Sequence, residues 1–146
     1  MTIKTLIADD SLVYRHQIKA ALMAIPGVEV IGTVSNGRLA VDRLIATKAD
    51  LLVLDLEMPD FDGLETIKEI KARALETKIL VFTSSSKLGT ETAIEALRLG
   101  ATDFLTKPGP TDSGDPQAGM EPSQRIRASL EPKLQALFGD SPVPAR

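Results

Sequence analysis

Short apolar runs alternate along this chain with segments in which apolar residues recur every three or four positions. Ile3–Ala8, Val28–Val34, Leu51–Leu54, Lys78–Thr83 and Thr102–Thr106 read as strands. The run Leu51-Leu52-Val53-Leu54 shows no polar alternation, as expected of a strand covered by helices on both faces. Between these runs the period lengthens. Ile18, Ala21, Leu22 and Ile25 share one face of a helix that opens at a Ser11 N-cap and stops at Pro26-Gly27. Val41, Leu44, Ile45 and Lys48 mark a second helix, and Leu64, Ile67, Ile70, Lys71 and Ala74 a third. Thr90 reads as the N-cap of a fourth, reaching about Leu99 with Gly100 as its C′ residue.

A fifth helix is expected over Ser123–Phe138 from Ile126, Leu130, Leu134 and Leu137. Pro132 should kink or break it by removing one backbone donor. Gly32 interrupts the second strand, and Asn36-Gly37, Pro59 and Asp62-Gly63 mark turns. Strands alternating with helices predict βαβ units, because parallel neighbours need crossover connections. The fold class is therefore α/β, with a five-stranded parallel sheet in one domain over residues 1–138. Within it, 109–122 holds three prolines and three glycines and reads as a flexible loop. Residues 139–146 carry two prolines and no apolar period, and are expected to be a tail or the start of an interdomain linker.

Composition narrows the chemistry. The 146 residues are 43% hydrophobic and 25% charged, enough for a single packed core. A net charge of −3 gives no bias towards nucleic acid or an anionic membrane, and neither is expected as a partner. The absence of cysteine excludes disulfides, thiol catalysis and thiolate metal sites. His16 is the sole histidine; it is expected at a helix surface. No apolar run approaches transmembrane length and no signal-peptide pattern opens the chain, so the expected location is cytoplasmic.

Parallel α/β sheets do their chemistry at the carboxyl ends of strands. Here those ends gather Asp9 and Asp10, then Asp55, Thr83 and Lys107. Three carboxylates at one edge repel unless a positive charge sits among them. A hard divalent cation such as Mg2+ takes a few protein oxygens and leaves positions for water and phosphate. Lys107 is a compact point charge suited to a phosphoryl oxygen, and Thr83 adds a hydroxyl. The combination suits transfer of a phosphoryl group onto a carboxylate, where positioning and charge neutralisation carry the reaction. Taken singly, Asp10 or Ser11 could merely cap a helix, and Lys107 could be a solvated charge.

In order and spacing, Asp9-Asp10, Asp55 followed by MPDFDG, Thr83, and GATDFLTKP over Gly100–Pro108 resemble the receiver domain of two-component response regulators. The resemblance covers Ile3 to about Phe138 and implies a doubly wound, flavodoxin-like sheet of order 2-1-3-4-5. It implies Asp55 as phosphoacceptor for a histidine kinase. Asp10, Asp55 and the backbone carbonyl of Glu57 would be Mg2+ ligands, with Asp9 as a supporting acid. Lys107 would pair with the phosphoryl group and precede a cis peptide to Pro108. Thr83 and Phe104 would form a switch that alters the face of the fourth helix, fifth strand and fifth helix, where an effector binds. Glu57 and Ser85 lie where the phosphoryl lifetime is influenced.

Phe61 departs from the usual methionine of that turn, for which a packing adjustment is expected. The long loop SSSKLGTE and the proline-bearing last helix are similar to the regulatory half of chemotaxis protein-glutamate methylesterases. This implies a methylesterase domain as effector, linked beyond Arg146. The alternative is a stand-alone receiver. A haloacid-dehalogenase-type phosphatase also uses an aspartyl phosphate, but its nucleophile ends the first strand. A flavodoxin-like nucleotide binder wants a Gly-rich loop after strand one, where this chain has acids.

Overall fold

A computed structural model describes residues 2–58, 62–84, 86–107 and 119–139. The elements run β1 Ile3–Ala8, α1 Leu12–Met23, β2 Val28–Val34, α2 Gly37–Thr47, β3 Leu51–Asp55, α3 Gly63–Ala72, β4 Lys78–Thr83, α4 Lys87–Leu99, β5 Asp103–Thr106 and α5 Pro122–Phe138. The five strands form one sheet of order β2-β1-β3-β4-β5, with every pairing parallel. The expectations for Pro59, Phe61, Ser85, the Lys107–Pro108 peptide, residues 109–118 and the tail from 140 onward fall outside the described residues.

The central strand explains its own composition. Leu52 and Leu54 pack with Val41, Leu44, Ile67, Ile70, Ala93 and Ala96 from α2, α3 and α4. Leu51 and Val53 pack on the other face with Ile18, Leu22, Ile126, Leu130 and Leu134 from α1 and α5. Every residue of β3 is buried, so an alternating polar residue would have no water to reach. At about 1.5–3 kcal/mol for each fully buried aliphatic side chain, this double coverage holds the strand in register. Its terminal carboxylate is thereby held in place.

Helix ends follow local chemistry. Ser11 caps α1 by accepting from the Tyr14 amide at 3.2 Å, and Asn36 caps α2 by accepting from Leu39 at 2.9 Å. Asp62 and Glu65 form a reciprocal capping box at α3. Gly100 closes α4 with φ +122, a conformation in which a Cβ would be strained.

Several expectations need correction. The N-cap of α4 is Ser86, whose Oγ accepts from the Gly89 amide at 3.0 Å; Thr90 lies one turn inside and bonds the Ser86 carbonyl. Helix α5 continues through Pro132 unbroken. Pro132 and Ala128 are both exposed, so the carbonyl that loses its helical donor can turn to water. Ile45 is 43% exposed rather than part of the buried face of α2. The interruption expected at Gly32 is a bulge rather than a break, and β2 spans Val28–Val34 as expected. The register steps from Thr5↔Val30 to Leu6↔Gly32, leaving Ile31 as a bulge. Strand β5 begins one residue late because Thr102 turns its hydroxyl to accept from the Ile79 amide at 3.0 Å.

Candidate functional site

Asp55 is the last residue of β3, opposite Phe82 of β4. It is 2% exposed, and Asp9, just past β1, is wholly buried. Asp10 follows with its side chain exposed. One carboxylate oxygen from each of Asp9, Asp10 and Asp55 lies within 4.8 Å of the others. Lys107 follows β5, its amide donating to the Thr83 carbonyl at 2.8 Å. That bond aims the side chain across the sheet edge. Its Nζ lies 3.2 Å from Asp55 Oδ1 and 3.7 Å from Asp9 Oδ2.

Local backbone donors hold the acids. The Glu57 amide donates to Asp55 Oδ1 at 3.0 Å, and the Ser11 amide to Asp9 Oδ1 at 2.8 Å. Asp9 Oδ2 and Asp55 Oδ2 are buried with no hydrogen-bond partner among the described residues. Burial pushes the Asp55 carboxyl up to about 6, opposed by the Glu57 amide, assisted by Asp9 and opposed again by Lys107. Asp9 is raised too, chiefly by burial against the pull of the Ser11 amide. Burial acts to lower the Lys107 ammonium, but Asp55 and Asp9 outweigh it and hold the group above the ordinary lysine value. One lysine therefore under-compensates three acids. Two orphaned carboxylate oxygens facing that deficit fit a hard cation with oxygen ligands.

Of the residues singled out from sequence, Asp9, Asp10, Asp55 and Lys107 meet at this edge. Glu57 reaches it through its amide, while its side chain is exposed and its carboxylate is outside the acid cluster. Thr83 ends β4, and its buried hydroxyl donates to the Gly89 carbonyl in the first turn of α4 at 3.1 Å. Phe104 is not at the cluster. It pairs with Val81, two register positions below Thr83↔Thr106, and is 36% exposed. Lys133 Nζ lies 5.7 Å from the Phe104 ring centroid and 3.0 Å from Asp103 Oδ2. His16 is exposed on α1, as expected.

Three residues escaped the sequence reading. Arg15 Nη1 donates to the Asp9 carbonyl at 2.7 Å. The Tyr14 ring centroid lies 4.4 Å from Lys107 Nζ. Gly89 lets α4 lie against the end of β4; a Cβ there would come 2.3 Å from the Ser84 carbonyl and 2.9 Å from the Thr83 hydroxyl. A glycine inside a helical pattern was the available signal for Gly89. Tyr14 and Arg15 lie one turn past the Ser11 cap.

Comparison with known proteins bears on this arrangement. A family model described as the response regulator receiver domain matches residues 5–113. A protein-glutamate methylesterase/protein-glutamine glutaminase of Nocardioides sp. is 34% identical over 146 residues, covering 98% of this chain and 38% of the relative. A second, from Hahella chejuensis, is 41% identical over 115 residues, covering 79% of this chain and 29% of that protein. The chain thus spans 38% and 29% of the length of these two relatives and matches only their regulatory part. Among solved structures, the response regulator domain of Thermotoga maritima CheB superposes with a TM-score of 0.77 at 29% identity, over 95% of this chain and 98% of that one. The chain belongs to the response regulator receiver domain family, and within it is similar to the regulatory domain of CheB-type methylesterases.

Proposed function

We propose that Asp55 accepts a phosphoryl group from a histidine kinase and that the resulting shift of Thr83 and Phe104 controls an effector. The observation that carries the reading is the Asp55 carboxylate itself. It is buried at a strand end, with Oδ1 held by Lys107 and the Glu57 amide and with Oδ2 free of donors. A carboxylate oxygen of Asp55 forms the new P–O bond while the P–N bond of the phosphohistidine breaks. The electron pair of that bond stays on the imidazole nitrogen, and the product is an acyl phosphate. Lys107 neutralises charge on the phosphoryl oxygens and fixes the approach.

Receiver domains bind Mg2+ at an acidic pocket. Here Asp10, Asp55 and the Glu57 carbonyl would hold it, with Asp9 in support. Bound there, the ion supplies positive charge to the phosphoryl oxygens during transfer.

The relay starts at Thr83. Its hydroxyl exchanges the Gly89 carbonyl for a phosphoryl oxygen, which draws the α4 N-terminus towards Asp55. Val81 and Thr83 lie on the sheet face covered by α4, and Phe104 pairs with Val81, so the ring can turn in as the loop moves. This is a shift between two pre-existing populations. It would remodel the face of α4, β5 and α5. By similarity to the methylesterase relatives, the effector controlled there is a methylesterase domain, in the cytoplasm with the kinase.

The test is transfer from a phosphorylated histidine kinase core in the presence of Mg2+. Label should pass to this chain, and none to Asp55→Asn, since an amide is not a competent nucleophile. Equal labelling of both would sink the assignment. For the relay, beryllofluoride should move chemical shifts of α4, β5 and α5; shifts confined to the acid cluster would argue against it.

A further inference from the structure

Lys107 faces a third neighbour besides its two carboxylates. The Tyr14 ring centroid lies 4.4 Å from its Nζ, within the range of a cation–π contact. The ring is not loosely placed. The Tyr14 amide donates to Ser11 Oγ at 3.2 Å, and the Ser11 amide donates to Asp9 Oδ1 at 2.8 Å. Two bonds thus tie the helical turn carrying Tyr14 to an acid of the cluster. The lysine backbone is pinned separately through the Thr83 carbonyl. What remains free is a four-carbon stem, whose ordering carries an entropy cost of up to about 2 kcal/mol. With its side chain 13% exposed, Lys107 still has a route to water.

We propose that Tyr14 is a positioning residue for phosphoryl transfer. Its ring face holds the Lys107 ammonium over Asp55, keeping the stem from swinging out while the acceptor carboxylate attacks the donor phosphorus. The inference rests on the reading of Asp55 as phosphoacceptor and adds to it a reason for the rate. An ammonium already in place pays no reorganisation at the moment of transfer. Aromatic contact suits the task because it holds the cation without offering an acceptor that would compete with the phosphoryl oxygens for its protons. The ring is set by the chain's own first helix, so the device is independent of the phosphodonor.

The experiment uses acetyl phosphate and Mg2+ with the whole chain. Tyr14→Phe keeps the ring face and should phosphorylate at the wild-type rate. Tyr14→Leu keeps apolar bulk without a π face and should be slower by about fivefold, equivalent to ~1 kcal/mol at about 1.36 kcal/mol per decade. Mg2+ affinity, measured by calorimetry, should be unchanged in both. Tyr14→Leu at the wild-type rate overturns the proposal, as does an equal loss in Tyr14→Phe. A parallel fall in Mg2+ affinity also overturns it, because that would mean the Asp9-Asp10 turn had been disturbed. Should Tyr14→Leu not fold, the wild-type spectrum decides: the Lys107 ε-methylene protons should be shifted upfield by the ring, and ordinary lysine shifts there refute the contact. Asp55→Asn separates the two claims. If it is still labelled, the phosphoacceptor reading fails; if it is silent while Tyr14→Leu is unaffected, only the role of Tyr14 fails.

Discussion

Replacing Asp55 by Asn should make the metal-free protein more stable at neutral pH. The reason is the buried charge. The carboxyl rises from an ordinary 3.8 to about 6 in the fold, and at about 1.36 kcal/mol per pH unit the ionised form then costs roughly 3 kcal/mol. Between those two values the folded chain binds the proton and the unfolded chain does not. The contribution to stability therefore falls as pH rises from 3.8 and levels off above about 6. Roughly 1.4 kcal/mol of the loss lies between about pH 5 and 7.5, and the raised carboxyl of Asp9 acts in the same direction. Asn keeps an oxygen to accept from the Glu57 amide, and Lys107 retains Asp9 at 3.7 Å, so little offsets the gain. Urea unfolding with a chelator should give Asp55→Asn an advantage of about 1–3 kcal/mol at pH 7.5, shrinking at pH 5. Saturating Mg2+ should raise the wild type and narrow the gap, as a ligand of the folded acid cluster alone would. A mutant that is less stable at pH 7.5, or an advantage that does not depend on pH, would show that the buried charge of Asp55 does not destabilise the fold.

Gly89→Ala should destabilise the fold by about 1–3 kcal/mol in urea unfolding, because the added carbon meets the Ser84 carbonyl at 2.3 Å; a gain in stability, as helix propensity alone would give, contradicts this. Tyr14 is the sole tyrosine in a chain without tryptophan, so its emission reports on the site. Mg2+ should change that emission with the midpoint that calorimetry gives, and a silent spectrum at saturation would count against an ion among Asp9, Asp10 and Asp55.

The sheet was legible because a strand with helices on both faces has nowhere to put a polar side chain. The apolar runs at Ile3–Ala8 and Lys78–Thr83 accordingly coincide with β1 and β4, and Val28–Val34 with β2, an edge strand whose Glu29 and Thr33 are exposed. The acids and Lys107 were legible for a related reason: each stands where an apolar run stops, and parallel topology brings those stops to one edge. The start of α4 was not. Ser84-Ser85-Ser86 and Thr90 all offer capping oxygens, and the choice of Ser86 depends on Gly89 fitting beneath the Ser84 carbonyl. That is a tertiary contact with no local signature. Pro132 misled for the opposite reason, since its cost depends on whether the deprived carbonyl is wet, and both Pro132 and Ala128 are exposed. Tyr14 meets Lys107 only because α1 and the end of β5 converge across the sheet, a separation that spacing along the chain does not encode.

If Asp55 is the phosphoacceptor, one carboxylate alone becomes the acyl phosphate. Borohydride reduces an aspartyl phosphate to homoserine, so trapping the chain after exposure to acetyl phosphate and Mg2+, followed by peptide mass mapping, locates the modified position. A single reduced position, residue 55, dependent on Mg2+ and on the phosphodonor, is the expected result. Reduction at Asp9 or Asp10 instead, or none at any residue while label is incorporated, would contradict it.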